Sequence, residues 1–205
     1  MTDFFDYHTH NWNKENAFIS VKMEVLADKI ALPGTSKFFL EYHPWNLPSE
    51  YSGVNQEFYS LAESEAVFGI GEIGLDKLKI AKTSLQVQLA YFEELVKLAA
   101  RLNKPIMLHI VRAWDEARKI LDKYKLPQIY FHGFYGKIEF LRELLNYGMI
   151  VSLNPKMLER AELYDFLRAN GEYEERVKLE SDDSNVDLSC LYAKFYERLR
   201  NGGNK

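Results

Sequence analysis

The chain has 205 residues, 47% of them hydrophobic and 27% charged, with a formal net charge of −4. That balance suits one globular domain without linker, repeat or low-complexity stretch, and the mild acidity argues against a broad basic surface that grips nucleic acid. The single cysteine, Cys190, excludes an internal disulfide framework and a cysteine-based zinc site, and no apolar run approaches the roughly 20 residues that cross a bilayer.

In chain order, the apolar runs Phe4–His8, Ala17–Val21, Phe38–Tyr42 and Val67–Ile73 predict strands. Several are continuous rather than alternating, as expected when both strand faces are covered. Thr83 and Gln86, three apart like a capping box, open a helix with Leu85, Leu89, Phe92, Val96 and Ala99, which Asn103-Lys104-Pro105 stops. A strand at Ile106–Ile110 follows, then a helix with Trp114, Ala117, Ile120, Leu121 and Tyr124 on one face, ended before Pro127. Next come a strand at Ile129–His132 and a helix carrying Ile138, Leu141, Leu144 and Leu145, with Gly148 as its C-terminal cap. Strands at Met149–Leu153 and Val177–Glu180 precede a last helix over Leu188–Leu199, with Asp182, Asp183 or Ser184 as its candidate N-cap. Residues 1–200 thus read as one domain and residues 201–205 as a frayed tail. Strand-helix alternation predicts a parallel sheet covered by helices, which either a barrel or an open doubly wound sheet satisfies.

The five histidines, His8, His10, His43, His109 and His132, all lie in or just after the C-terminal end of a predicted strand. In a parallel α/β barrel those ends build the active site. His8 and His10, two apart in extended chain, point the same way and can reach one metal ion; the plainer reading is a polar pair at a strand end. Glu72 sits among glycines in Gly69-Ile70-Gly71-Glu72-Ile73-Gly74-Leu75-Asp76, where an ionised carboxylate needs a metal or a partner such as Lys77 or Lys79. His109 and His132 each end an apolar run. Taken singly, either reads as a satisfied core histidine. Asp182 and Asp183 close the last strand, where a carboxylate can bind a metal and accept a proton from water. This mixed imidazole–carboxylate set suits divalent metals and needs no thiol. Arg112, Lys137 and Lys156 follow strand ends and are candidates to face an anionic substrate.

Asp6-Tyr7-His8-Thr9-His10, Tyr42-His43-Pro44-Trp45, Gly71-Glu72-Ile73-Gly74-Leu75-Asp76, Pro105-Ile106-Met107-Leu108-His109, Phe131-His132-Gly133-Phe134 and Leu179-Glu180-Ser181-Asp182 together resemble the TatD family of metal-dependent hydrolases, within the amidohydrolase-like barrel superfamily. The Gly-Glu-Ile-Gly-Leu-Asp element is the most specific. The resemblance implies a TIM-like (β/α) barrel, and the compressed stretch between His10 and His43 makes it a shortened one of seven to eight strands, irregular or incomplete. It implies one or two divalent metal ions (zinc, magnesium, manganese or similar). His8 and His10 would bind one, Glu72 would bridge two, and His109 and His132 would complete the second site. Asp182 would join the first ion and act, with Glu72, as a catalytic residue. His43 and Trp45 correspond to a motif at the mouth of the site, for substrate contact or support of the ligands.

Two further departures bear on the substrate. The family commonly carries Arg two residues after its fifth-strand histidine, whereas Arg112 lies three after His109, and Lys77-Leu78 replaces aromatic residues common after Gly-Leu-Asp. The expected chemistry is hydrolysis by a metal-activated water, with a phosphodiester such as DNA as the substrate. Its rival is hydrolysis of a small ester, lactone or amide on the same ligands. A non-catalytic binding protein and a phosphoesterase of the polymerase-and-histidinol-phosphatase type rank below both. The opening Asp3-Phe4-Phe5-Asp6 lacks the basic and apolar regions of a signal peptide, so a cytoplasmic chain is expected, with no membrane contact and no stable protein partner.

Overall fold

A computed structural model describes residues 4–24 and 35–201. Eight strands follow one another: β1 (Asp6–Thr9), β2 (Ala17–Val21), β3 (Lys37–Leu40), β4 (Val67–Asp76), β5 (Ile106–Val111), β6 (Ile129–Phe134), β7 (Ile150–Leu153) and β8 (Val177–Leu179). They form one sheet in chain order, and the pairs β1–β2, β3–β4, β4–β5 and β7–β8 are parallel. Just past β8 the Asp182 amide donates to the His8 carbonyl at 2.9 Å, a parallel bridge between the exits of the last and first strands. This is the topology of the (β/α) barrel class. All eight strands of the expected seven to eight are present, β2 and β3 both lying between His10 and His43, and the register shifts in β1–β2, β3–β4 and β4–β5.

The helices are α1 (Gln56–Glu63), α2 (Leu85–Leu102), α3 (Trp114–Leu121), α4 (Ile138–Asn146), α5 (Ala161–Ala169) and α6 (Leu188–Asn201). Two caps differ from expectation. Ser84, not Thr83, caps α2 by accepting from the Val87 amide, while Thr83 is buried and donates to the Leu47 carbonyl at 3.0 Å. Asp187, not Asp182, Asp183 or Ser184, precedes α6 and accepts from the Ser189 amide at 2.9 Å. Asn103 ends α2 in the left-handed conformation, and Gly148 follows α4 with φ +93°. Tyr124 lies beyond the end of α3, and its hydroxyl donates to Glu93 at 3.3 Å. Helices α1 and α5 had no strong sequence signal. The first buries only Phe58 and Ala62, and the second starts at Arg160 without a side-chain cap. In the stretch between His10 and His43, the question of a missing helix falls partly on residues 25–34, which lie outside the described residues.

The chain is organised as two compact units, one comprising Met1–Ile19, Pro33–Ser36 and Phe131–Lys205, the other Ser20–Leu32 and Lys37–Tyr130. The first buries Ile19, Phe134, Leu141, Leu144, Val151 and Leu163 completely or nearly so; the second does the same with Phe39, Phe58, Ile70, Tyr91, Phe92 and Ile106. Each such side chain contributes roughly 1.5–3 kcal/mol on leaving water. In the second unit β4 runs on to Asp76, pairing with β5 as far as Val111. Gly74 is what permits so close a pairing. A Cβ there would stand 1.9 Å from the His109 carbonyl oxygen.

Candidate metal centre

In the first unit, β1 delivers His8, fully buried, and His10, with a side chain one-third exposed. Their rings lie 5.0 Å apart, edge to face. Asp182 meets them from the loop just past β8. Its Oδ1 is 3.5 Å from His8 Nε2 and 3.9 Å from His10 Nε2. The resemblance implied His132 beside His109; the structure places its ring 4.3 Å from that of His8. Ligand atoms of His8, His132 and Asp182 lie within 4.8 Å of one another, and so do those of His10, Asp182 and Asp183.

Asp182 has φ +51°, a left-handed conformation that a non-glycine residue keeps only where its surroundings demand it. The demand comes from Asp6, a buried carboxylate that accepts from the Ser181 amide at 2.9 Å, from its hydroxyl at 2.6 Å and from Lys14 Nζ at 2.6 Å. Thr9 Oγ1 also donates to the Asp182 carbonyl at 3.2 Å. Behind His132, the fully buried Glu180 accepts from Ser152 Oγ and brings Oε1 to 3.9 Å from His132 Nδ1.

In the second unit, β4 carries Glu72, 1% exposed, and Asp76, 2% exposed. Glu72 Oε2 lies 3.5 Å from His109 Nδ1 and 3.6 Å from His43 Nε2. His43, Glu72 and His109 form a third group whose ligand atoms are within 4.8 Å of one another. The two histidines are not equivalent. His43 Nδ1 accepts from the Trp45 amide at 3.1 Å, so in the neutral ring Nε2 carries the proton and faces Glu72 as a donor, not as a ligand. His109 instead turns Nε2 toward Asp76 Oδ2 at 3.7 Å and leaves Nδ1 on the Glu72 side. A carboxylate behind an imidazole selects the tautomer that binds metal. Burial would raise the Asp76 carboxyl, but the nearby His109 imidazole, the Trp45 indole N–H and the Leu78 amide outweigh it and bring it down to about 2. Gln88 of α2 holds the Asp76 backbone from both sides, accepting from its amide at 2.7 Å and donating to its carbonyl at 3.1 Å.

The donors fit a divalent ion: imidazoles and carboxylates at strand ends, with no thiol in any group. Sequence reasoning singles out His8, His10, His43, Glu72, His109, His132 and Asp182. It misses Asp6, Asp76 and Glu180 as partners of ligands, although each stands inside one of the motifs that carry the resemblance. The lysine partners considered for Glu72 are engaged elsewhere, Lys77 with Glu116 at 2.7 Å and Lys79 over the Trp45 ring. Arg112, with φ +56°, Lys137 and Lys156 are all exposed.

Imidazole–carboxylate groups at the ends of parallel strands are the arrangement on which metal-dependent hydrolases of the α/β barrel class are built. The chain belongs to the TatD related DNase family, whose model matches residues 15–183. It is 34% identical over 110 residues to deoxyribonuclease Tat-D of Schizosaccharomyces pombe, covering 52% of this chain and 35% of that protein. It is 32% identical over 148 residues to the 3′-5′ ssDNA/RNA exonuclease TatD of Klebsiella pneumoniae, covering 68% of this chain and 54% of that one. The match thus spans between a third and somewhat over half of these relatives' length. Among solved structures, a TatD homologue from Escherichia coli superposes with TM-score 0.73 at 19% identity, covering 97% of this chain and 91% of that one. A TatD family hydrolase from Entamoeba histolytica gives 0.66 at 18% identity, covering 88% and 73%. Both share the fold. No helix among the described residues is long and apolar enough to cross a membrane.

Proposed function

We propose that this protein is a divalent-metal-dependent phosphodiesterase, with His8, His10, His132 and Asp182 holding an ion in the first unit and Glu72 and His109 holding one in the second. The observation that carries the reading is the gathering of buried and part-buried imidazoles and carboxylates at strand ends, with ligand atoms of His8, His132 and Asp182, and of His43, Glu72 and His109, within 4.8 Å of one another. Bound metal would supply Lewis acidity and acidify a water. Asp182, its side chain about one-third exposed, would accept a proton from the attacking water, and the Asp6 network on neighbouring Ser181 would hold the loop that carries its carboxylate. Glu72, itself buried in the second unit, would neutralise positive charge there, and His43 Nε2–H would steady it. Trp45 and Arg112 meet the substrate.

Residues 1–200 act as one hydrolase domain, a reading supported by a single family model that runs through residues of both units. A cytoplasmic location fits the single, exposed cysteine.

Elemental analysis of the purified protein tests the site, and bis(4-nitrophenyl) phosphate tests the reaction. Two equivalents of divalent metal, falling to one or fewer in His8→Ala/His10→Ala, with metal-dependent turnover, is the expected result. No stoichiometric metal after reconstitution would overturn the reading. Turnover of carboxylic esters or lactones without any of the phosphodiester would replace it by small-molecule hydrolysis.

A further inference from the structure

The link from β1 to β2, residues 10–16, holds no helix, so β1 lacks the helix that ordinarily follows a barrel strand and covers its outer face. Aromatic side chains gather there instead. Tyr7 alternates with Asp6 and His8 and so faces away from the candidate ligands; its ring meets Phe5 at 5.1 Å and Phe18 at 5.5 Å. From α6, Tyr192 stacks on Phe4 at 4.9 Å and donates its hydroxyl to the Phe5 carbonyl at 2.9 Å. Between β1, β8 and α6 lies a cavity of about 740 Å³, a size that suits a small molecule, and no candidate metal ligand lines it.

Two cations share its wall. Lys178 of β8 has a side chain only 19% exposed, yet among the described residues its ammonium makes no hydrogen bond. It lies 5.3 Å from the centre of the Tyr7 ring and 3.8 Å from Glu175, whose side chain is 95% exposed. Arg200, near the end of α6, stands 6.0 Å from the centre of the Tyr196 ring and has no carboxylate partner among the described residues. Glu174, Glu175 and Glu197 also border the cavity, but all three are exposed. A hydrated carboxylate gains little by pairing, whereas an ammonium withdrawn from water gains a charge-assisted hydrogen bond. Burial first, then the Glu175 charge, pushes the Tyr7 hydroxyl up, so it stays a donor at neutral pH. We propose that the cavity binds a small amphipathic anion, its aromatic body against Phe4 and Phe5 and its carboxylate or phosphate paired with Lys178, with Arg200 as the second cation. Such a site is separate from the metal centre and independent of the phosphodiesterase reading.

Calorimetric titration of the full chain, as purified, tests this with four ligands of one ring system: naphthoate, naphthyl phosphate, neutral naphthylmethanol and cationic naphthylmethylammonium. The two anions should bind about tenfold or more tightly than the alcohol, the factor that a charge-assisted hydrogen bond supplies. The ammonium should bind least. Lys178→Met keeps an apolar stem without the charge and should weaken both anions about tenfold. Arg200→Met, at the exposed end of α6, should weaken them less, and it keeps the proposal testable should Lys178→Met not fold. Lys125→Met, at an exposed lysine of the second unit, should change nothing. Whichever anion binds more tightly identifies the acid group. Full naphthoate affinity in His8→Ala/His10→Ala places the anion away from the metal centre. Loss there, with Lys178→Met unaffected, puts it on the metal and overturns the site. Alcohol that binds as tightly as naphthoate, inorganic phosphate that binds as tightly as naphthyl phosphate, or unchanged anion binding in the folded Lys178 and Arg200 variants also overturns it. Tightest binding of the ammonium would hand the cavity to the rim glutamates and overturn the anion.

Discussion

The two units hold similar donors by different means. In the first, the candidate ligands come from residues as far apart in the chain as His8 and Asp182, and backbone groups position them: the amide of Asp182 on the His8 carbonyl, and the amide of Ser181 on the Asp6 carboxylate. In the second, side chains aim side chains, with Asp76 behind His109, His43 behind Glu72, and Gln88 clamping Asp76 from α2. A ligand in a left-handed backbone conformation needs its whole loop to be held. A ligand on a regular strand needs only its ring or carboxylate to be turned. The first arrangement couples the site to stability, and the second couples it to tautomer and charge.

The sharpest way to break that contrast is Asp6→Ala. It removes the carboxylate that Lys14 and both Ser181 donors share, and removing one partner of such a buried pair costs about 3–5 kcal/mol. Denaturant unfolding should show that destabilisation, with metal content falling in parallel. If stability holds, the Asp6 network is not what maintains the Asp182 conformation. Next in size, Asp76→Asn should cut metal affinity in the second unit by about 10–100-fold with a much smaller stability change, because the amide no longer enforces the His109 tautomer. Metal titration by calorimetry decides this, and a shift of the unfolding midpoint as large as that of Asp6→Ala would erase the distinction.

A smaller effect is expected from Ser84→Ala, which removes the N-cap of α2 at a cost of about 1 kcal/mol. If metal affinity drops as well, the cap reaches the site through Gln88. The smallest effect concerns pH. Tyr51 and Tyr59 are both pushed up to about 12, Tyr51 first by its hydrogen bond to Glu94 and Tyr59 first by burial and then by the same carboxylate. Groups raised in the folded state stabilise it fully below the ordinary tyrosine value of about 10, and that contribution disappears as pH rises through about 12. Stability of the wild type should therefore decline over that alkaline window, and Glu94→Gln should flatten the decline while leaving metal content unchanged.

Much of this was legible in the residues. Runs such as Ala17–Val21 and Ile106–Ile110 are apolar on both faces, and only a covered parallel sheet accommodates a succession of them. A histidine or acid at the end of such a run is costly unless it has a use, and His8, Glu72, His109, His132 and Asp182, each weak singly, stand out together as a series on successive strand ends. Local competition was less visible. Thr83 and Ser84 are both competent caps, and the buried carbonyl of Leu47 claimed Thr83. Asp182 lost the α6 cap to Asp187 because a loop intervenes before Leu188.

By itself, then, the chain's pattern of apolar runs and terminal histidines determined the strand succession, the family and the candidate donors, because each depends on residues near one another in sequence. Only the tertiary structure decided what each donor does. That His43 turns Nε2 to Glu72 and His109 turns Nδ1 there depends on whether the Trp45 amide or the Asp76 carboxylate stands behind the ring. Nothing in the order of residues states that, because hydrogen-bond partners are selected by distances that exist only after the strands have paired.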